Sequence, residues 1–135
     1  MKRFALIGHP LGHSFSKSYF QSKFEREGLA GFRYENVEIE NEETLKAFIS
    51  ESKYDGVKIT IPWKEKVLEI VSELSDESKS IGSVNVLKRT ASGQYKGYNT
   101  DWIGFRDTLK PLLKPWHTSA LILGDGGAAK AVMYV

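Results

Sequence analysis

Short apolar runs, each stopped by a turn residue, alternate along this chain with segments of helical spacing. No other feature restricts the fold as much. Phe4-Ala5-Leu6-Ile7 runs into Gly8, residues 32–39 alternate imperfectly, Val57-Lys58-Ile59-Thr60-Ile61 meets Pro62, and Leu121-Ile122-Leu123 meets Gly124. Runs of this length with such boundaries read as buried strands. Between them, residues 18–27 carry Tyr19, Phe20, Lys23 and Phe24 at helical spacing. Residues 42–50 place Leu45, Phe48 and Ile49 on one face, with Asn41 as N-cap and two acids in the first turn. Residues 63–74, with Val67, Leu68, Ile70, Val71 and Leu74, read as a third helix. Strands alternating with helices build βαβ units, so the expected fold is α/β, three-layered, on a mainly parallel mixed sheet.

The rhythm then changes. Residues 83–89 and 94–98 are strand-like and joined by Thr90-Ala91-Ser92-Gly93, which predicts an antiparallel hairpin added to the sheet. A helix is expected over 101–113, with Trp102, Phe105, Leu109 and Leu112 on its buried stripe and its last turn disturbed by Pro111 and Pro115. A domain boundary is placed within 114–119, dividing the chain into 1–114 and 115–135. The second part reads as a strand from Ala120, a glycine-rich turn and a helix from Gly127: an incomplete Rossmann-type half-unit. A whole unit needs about 30 residues, and sixteen remain from Ala120. The expectation is therefore a fragment, with little dinucleotide chemistry of its own.

Charge narrows the function. The 19 Lys and Arg against 17 Asp and Glu leave +2, and no basic run is interleaved with aromatics, so no nucleic-acid partner is expected. No apolar stretch approaches the ~18 residues of a membrane span, and the four apolar residues before Gly8 are too few for a signal peptide. Without cysteine there is no disulfide framework and no thiolate nucleophile. A cytoplasmic protein without a membrane partner is the default expectation.

Five motifs carry chemistry. In Gly8-His9-Pro10-Leu11-Gly12-His13-Ser14-Phe15-Ser16, the two serines are two apart, so in extended chain their hydroxyls aim the same way, just before a helix N-terminus that favours an anion. A carboxylate suits that seat; the simpler alternative is that Ser16 caps the helix. His9 and His13 lack the further ligands a metal needs. In Lys58-Ile59-Thr60-Ile61-Pro62-Trp63-Lys64, Pro62 suits a first helical position and puts Lys64 at the carboxyl edge of the sheet, where open α/β folds bind ligands. There lysine can serve as acid and base, or be an ordinary solvated side chain like Lys66. Asn85, flanked by valines, needs partners for its amide if buried: a cross-strand bond or a ligand. In Gly97-Tyr98-Asn99-Thr100-Asp101, Asn99 or Thr100 can cap the next helix, and Asp101 can complement its dipole or pair with Lys64. Leu123-Gly124-Asp125-Gly126-Gly127-Ala128-Ala129 fits G-x-G-x-x-G/A between a strand and a helix, a seat for a pyrophosphate.

In this order the motifs resemble the shikimate dehydrogenase family, from Phe4 to Ala131. The family pattern H-S-x-S-P is met by His13-Ser14-Phe15-Ser16-Lys17, with lysine for proline; where the family continues with His-Asn, this chain departs with Phe20-Gln21. N-V-T-x-P-x-K is met from Lys58 to Lys64, with lysine for asparagine at the start. I-G-A-V-N-T is met from Ile81 to Val86, ending in valine; G-x-N-T-D and G-x-G-G-A are met by residues 97–101 and 124–128.

The resemblance implies that residues 1–114 form a substrate-binding catalytic domain and that 115–135 begin an NADP-binding domain. It implies that Ser14 and Ser16 hold a substrate carboxylate. Thr60, Lys64, Asn85 and Asp101 would meet ring hydroxyls, with Lys64 and Asp101 the catalytic pair. Gly124, Gly126, Gly127 and Ala128 would contact NADP (NADPH). The implied reaction is reversible reduction of 3-dehydroshikimate to shikimate, an oxidoreductase step of aromatic amino-acid (chorismate) biosynthesis, with quinate as an alternative substrate. A non-catalytic module binding a small hydroxylated carboxylate is the competing reading; a folate-type dehydrogenase fits the paired serines and the N-T-D run less well. Residues 120–123, read as a strand with unpaired edges, also predict self-association.

Overall fold

The computed structural model describes residues 1–12 and 14–135. Six strands form one sheet: β1 (Lys2–Gly8), β2 (Phe32–Glu38), β3 (Gly56–Ile59), β4 (Glu73–Leu74), β5 (Val86–Arg89) and β6 (Tyr95–Tyr98), in the order β2-β1-β3-β5-β6-β4. β5 runs antiparallel to both of its neighbours, β3 and β6, and the other pairings are parallel. The hairpin read from residues 83–98 is thus present, inside a mixed sheet rather than at its margin.

Strand alternation sorts the core onto two faces. From β1, Ala5 and Ile7 enter the larger cluster with Val57, Ile59, Leu45, Val67 and Leu87. Leu6 points the other way and packs with Leu11 and Tyr34 beneath Phe20 and Phe24 of α1 (Ser16–Arg26). α2 (Glu42–Glu51) covers the first face through Leu45, and its N-terminus is capped as expected, the Asn41 side chain accepting from the Thr44 N–H. With α1 on one side and α2 on the other, the three-layer α/β arrangement holds.

Four expectations are corrected. Residues 63–74 do not form an α-helix: a 3₁₀ turn at Lys66–Glu69 is followed by β4. Tertiary bonds outcompete the helical spacing there, because the Trp63 indole donates to the Ile39 carbonyl (2.9 Å), the Lys64 carbonyl accepts from the Val84 N–H (2.7 Å), and Leu74 pairs with Gly97. Next, α3 (Asp76–Ile81) lies where no helix is expected, although Ser75 caps it, Asp76 and Glu77 open it and Gly82 follows it. The helix expected over 101–113 ends as α4 (Asp101–Leu109), tightens to 3₁₀ at Lys110–Leu112 where Pro111 cannot donate, and leaves Leu112 exposed. Finally, residues 120–123 form no strand; Leu121 and Leu123 are 84% and 88% exposed. A strand needs a neighbour for its ladder, and none of the six pairs with this segment. α5 (Gly127–Met133) begins where the glycine motif placed a helix.

Candidate active site

Beyond the carboxyl ends of β1 and β3 lie two cavities that share Thr60, one lined by Lys64 and the other by Ser14 and Ser16, and together they form the candidate cleft. Lys64 sits in the turn after β3, ahead of the 3₁₀ turn. It does not open an α-helix, although Pro62 suits a first helical position. Its Nζ donates to Asp101 Oδ2 at 2.6 Å, across 37 residues of sequence. The two side chains are 18% and 34% exposed, so the pair is reachable from solvent yet partly desolvated.

Asp101 is held from three directions. Its Oδ1 accepts from Asn85 Nδ2 at 2.7 Å. Its backbone N–H donates to Asn99 Oδ1 at 3.0 Å, so Asn99, and not the Thr100 side chain, caps this end of α4. Asn99 itself donates to the Ser83 carbonyl. Asn85, buried beside Val84, also donates to Thr100 Oγ1 (3.0 Å) and accepts from the Thr100 N–H (2.8 Å). Both amide hydrogens of Asn85 are therefore spent within the protein, which makes it a positioning residue for Asp101 in this arrangement.

The second part of the cleft is a cavity of about 310 Å³ lined by Ser14, Ser16, Lys58, Thr60, Leu6 and Leu11, among others. Ser16 does not cap α1: the N-cap is Phe15, no side chain caps it, and the first turn holds no acid. Ser16 Oγ instead accepts from Lys58 Nζ at 3.3 Å. Ser14 Oγ is buried and has no hydrogen-bond partner among the described residues. Tyr34 lies beneath; burial pushes its phenol up to about 12, against a smaller opposing effect of the Ser16 hydroxyl. His13, which begins the serine motif, lies outside the described residues.

Thr60 lines this cavity and also a second one, of about 490 Å³, between residues 60–65 and 123–129. Gly8 fixes Thr60, since a Cβ at position 8 would fall 2.4 Å from Thr60 Cγ2. The second cavity joins Lys64 to Gly124, Gly126, Gly127 and Ala128. Gly127 packs against the lysine turn; a Cβ there would lie 2.6 Å from Ser83 Oγ and 3.0 Å from Lys64 Cβ. Lys130 of α5 pairs with Glu65 at 2.5 Å and ties the glycine-rich turn to the same place. No spacing or motif in the chain signals these tertiary ties.

An ammonium–carboxylate pair and a hydroxyl-lined cavity thus stand on either side of Thr60 at the edge of an α/β sheet. Residues 6–87 match the family model described as the shikimate dehydrogenase substrate binding domain. The chain belongs to that family. It is 39% identical over 134 residues to a shikimate dehydrogenase (NADP(+)) of Aquifex aeolicus, covering 97% of this chain and 49% of that protein. It is 41% identical over 136 residues to that of Dictyoglomus thermophilum, covering 98% and 48%. Among solved structures, shikimate 5-dehydrogenase from Thermus thermophilus in complex with shikimate superposes with a TM-score of 0.87 at 37% identity, covering 99% of this chain and 51% of that one. The same enzyme in complex with NADP(H) and shikimate gives 0.86. The chain thus spans about half the length of the relatives it matches.

Proposed function

We propose that this chain supplies the substrate half of a shikimate dehydrogenase: reversible, NADPH-dependent reduction of 3-dehydroshikimate to shikimate. The observation that carries the reading is the Lys64–Asp101 contact, fixed by Asn85, in a cleft whose other end offers free hydroxyl donors.

The division of labour follows from donor and acceptor counts. The Lys64 ammonium has three N–H donors, and one goes to Asp101; the others are available to a substrate oxygen. As a ketone oxygen gains negative charge, Lys64 Nζ gives it a proton, and the lysine regains one from solvent at the open side of the pair. Asp101 keeps the ammonium aimed. Its carboxylate has lone pairs left, beyond the bonds to Lys64 and Asn85, for a ring hydroxyl. Thr60, between the two cavities, is placed to meet another.

The glycine-rich segment fits a dinucleotide. Open space surrounds Gly126, so backbone there can approach a pyrophosphate, and no acid lies in the first turn of α5. Gly124, Gly126, Gly127 and Ala128 would hold the cofactor, which when bound supplies the hydride. On this reading residues 115–135 begin a dinucleotide-binding domain.

Calorimetric titration of the chain with shikimate is expected to give saturable one-site binding that is lost in a Ser14→Ala, Ser16→Ala double variant. In a protein carrying this chain with a complete nucleotide-binding half, shikimate-dependent reduction of NADP is expected. Absence of binding to the well-folded chain would overturn the reading.

A further inference from the structure

We propose that Lys58 is a third, cationic member of the carboxylate seat, and that it makes the cleft select a carboxylate-bearing substrate over its neutral analogues. The proposal rests on the reading of the cleft as a hydroxy-acid site.

Position on the strand places Lys58 there. Val57 and Ile59 of β3 are buried in the larger core, so Lys58 projects to the opposite face, the one covered by α1. Its Nζ reaches Ser16 Oγ at 3.3 Å and lines the same cavity as Ser14 and Thr60. Because lysine donates and Ser16 accepts, the Ser16 O–H can itself donate, to Tyr34 beneath it or outward to a ligand. Ser14 Oγ, buried and unpartnered, offers a second hydroxyl. The seat therefore presents two neutral donors and one charged donor. A carboxylate has two oxygens and about four lone-pair sites to receive them.

Lys64, which lines the adjoining cavity, is paired with a carboxylate, as are Lys66 and Lys130. Among the described residues, Lys58 forms no ion pair. Leu6 and Leu11 supply apolar walls, which raise the worth of a charge–charge contact over its value in open water. A bond to an ionised group is also about twice as strong as a neutral one. The family pattern carries asparagine at this position, an amide that can donate but brings no charge.

The test compares wild type, Lys58→Asn and Lys58→Met by calorimetric titration with shikimate and with its methyl ester, at low and high salt. Wild type is expected to bind shikimate more tightly than the ester, with affinity falling as salt rises. Both variants are expected to lose about tenfold or more for shikimate, to bind the ester as wild type does, and to show a flatter salt dependence. Because Lys58 is exposed, thermal unfolding should be unchanged, which checks the fold. Equal losses for acid and ester, or no loss, would overturn the role of Lys58 while leaving the hydroxy-acid reading intact. If folded wild type binds neither ligand, that reading fails and the proposal with it.

Discussion

The two ends of the cleft are built on opposite plans. At one end, Lys64, Asp101, Asn85, Thr100 and Asn99 satisfy one another in a closed set of hydrogen bonds. At the other, Ser14 Oγ has no partner and Ser16 has one long contact from Lys58. A buried polar group without a partner is unfavourable unless a ligand or water completes it. The difference separates chemistry from recognition. On the proposed reading, Lys64 and Asp101 are oriented before substrate arrives, so no reorganisation is needed at the moment of reaction. On the same reading, the seat holds its donors for a carboxylate to complete.

Replacing Lys64 gives the largest expected effect. A positioned acid or base contributes about 10²–10⁴-fold to a rate. In a protein that joins this chain to a complete nucleotide-binding half, Lys64→Ala should lower kcat by about that factor. Shikimate affinity, measured by equilibrium titration, should fall by about tenfold at most, as for the loss of one net hydrogen bond. Equal losses of turnover and affinity would erase the distinction between the two ends.

A smaller effect sharpens it. Asn85→Ala takes the protein partner from the Thr100 N–H and from one oxygen of Asp101, a net loss of about 0.5–1.5 kcal/mol per bond. Ser14→Ala removes a hydroxyl that bonds to nothing, so stability should hold or rise. Affinity for shikimate should then fall about tenfold. Denaturant unfolding and ligand titration on the same two variants give a crossed pattern: stability lost in one, affinity in the other. If Ser14→Ala destabilises as much as Asn85→Ala, the seat is structural.

Much of this is legible in the chain because residue type and spacing carry it. The apolar runs at 4–7, 32–39 and 57–61 become β1, β2 and β3, and Asn41 caps α2. The pairing of Lys64 with Asp101 is legible as one of the open readings, because each stands near the carboxyl edge and their charges are opposite. Other features depend on tertiary context. Spacing at residues 63–74 is helical, but bonds from Trp63, Lys64 and Leu74 to other elements decide the local structure. The Leu121-Ile122-Leu123 run has the composition of a strand without a neighbour to pair with. Asn85 reads as facing a ligand or a cross-strand partner; its commitment to Asp101 depends on where α4 begins.

The unpaired run keeps one consequence of its composition. Leu113, Trp116, Leu121 and Leu123 are exposed close together in sequence, and apolar groups so presented favour contact between copies. Self-association that weakens in a Leu121→Ser, Leu123→Ser variant is expected by light scattering. A wild-type monomer at high concentration would count against it.

The smallest effect lies away from the cleft, in a second closed polar set that has no ligand to serve. Glu35 Oε2 accepts from the Tyr54 hydroxyl at 2.5 Å and from Arg3 at 3.2 Å, and the Arg3 guanidinium lies 4.6 Å over the Tyr54 ring. The Tyr54 bond, more than Arg3, holds the Glu35 carboxyl below the usual carboxylate range, while partial burial works against it. A group whose pKa is depressed on folding stabilises above its unfolded value, and that contribution is lost as pH falls through its folded one. Tyr54→Phe should therefore raise the Glu35 pKa and move the onset of acid unfolding to slightly higher pH. The shift should be small, because Glu35 is 43% exposed and solvent screens such pairs. Acid titration followed by circular dichroism measures it, and shikimate affinity at neutral pH should not change. A change in affinity would mean that the sheet transmits strain to the seat, and that the two ends of the cleft are less independent than their bonding implies.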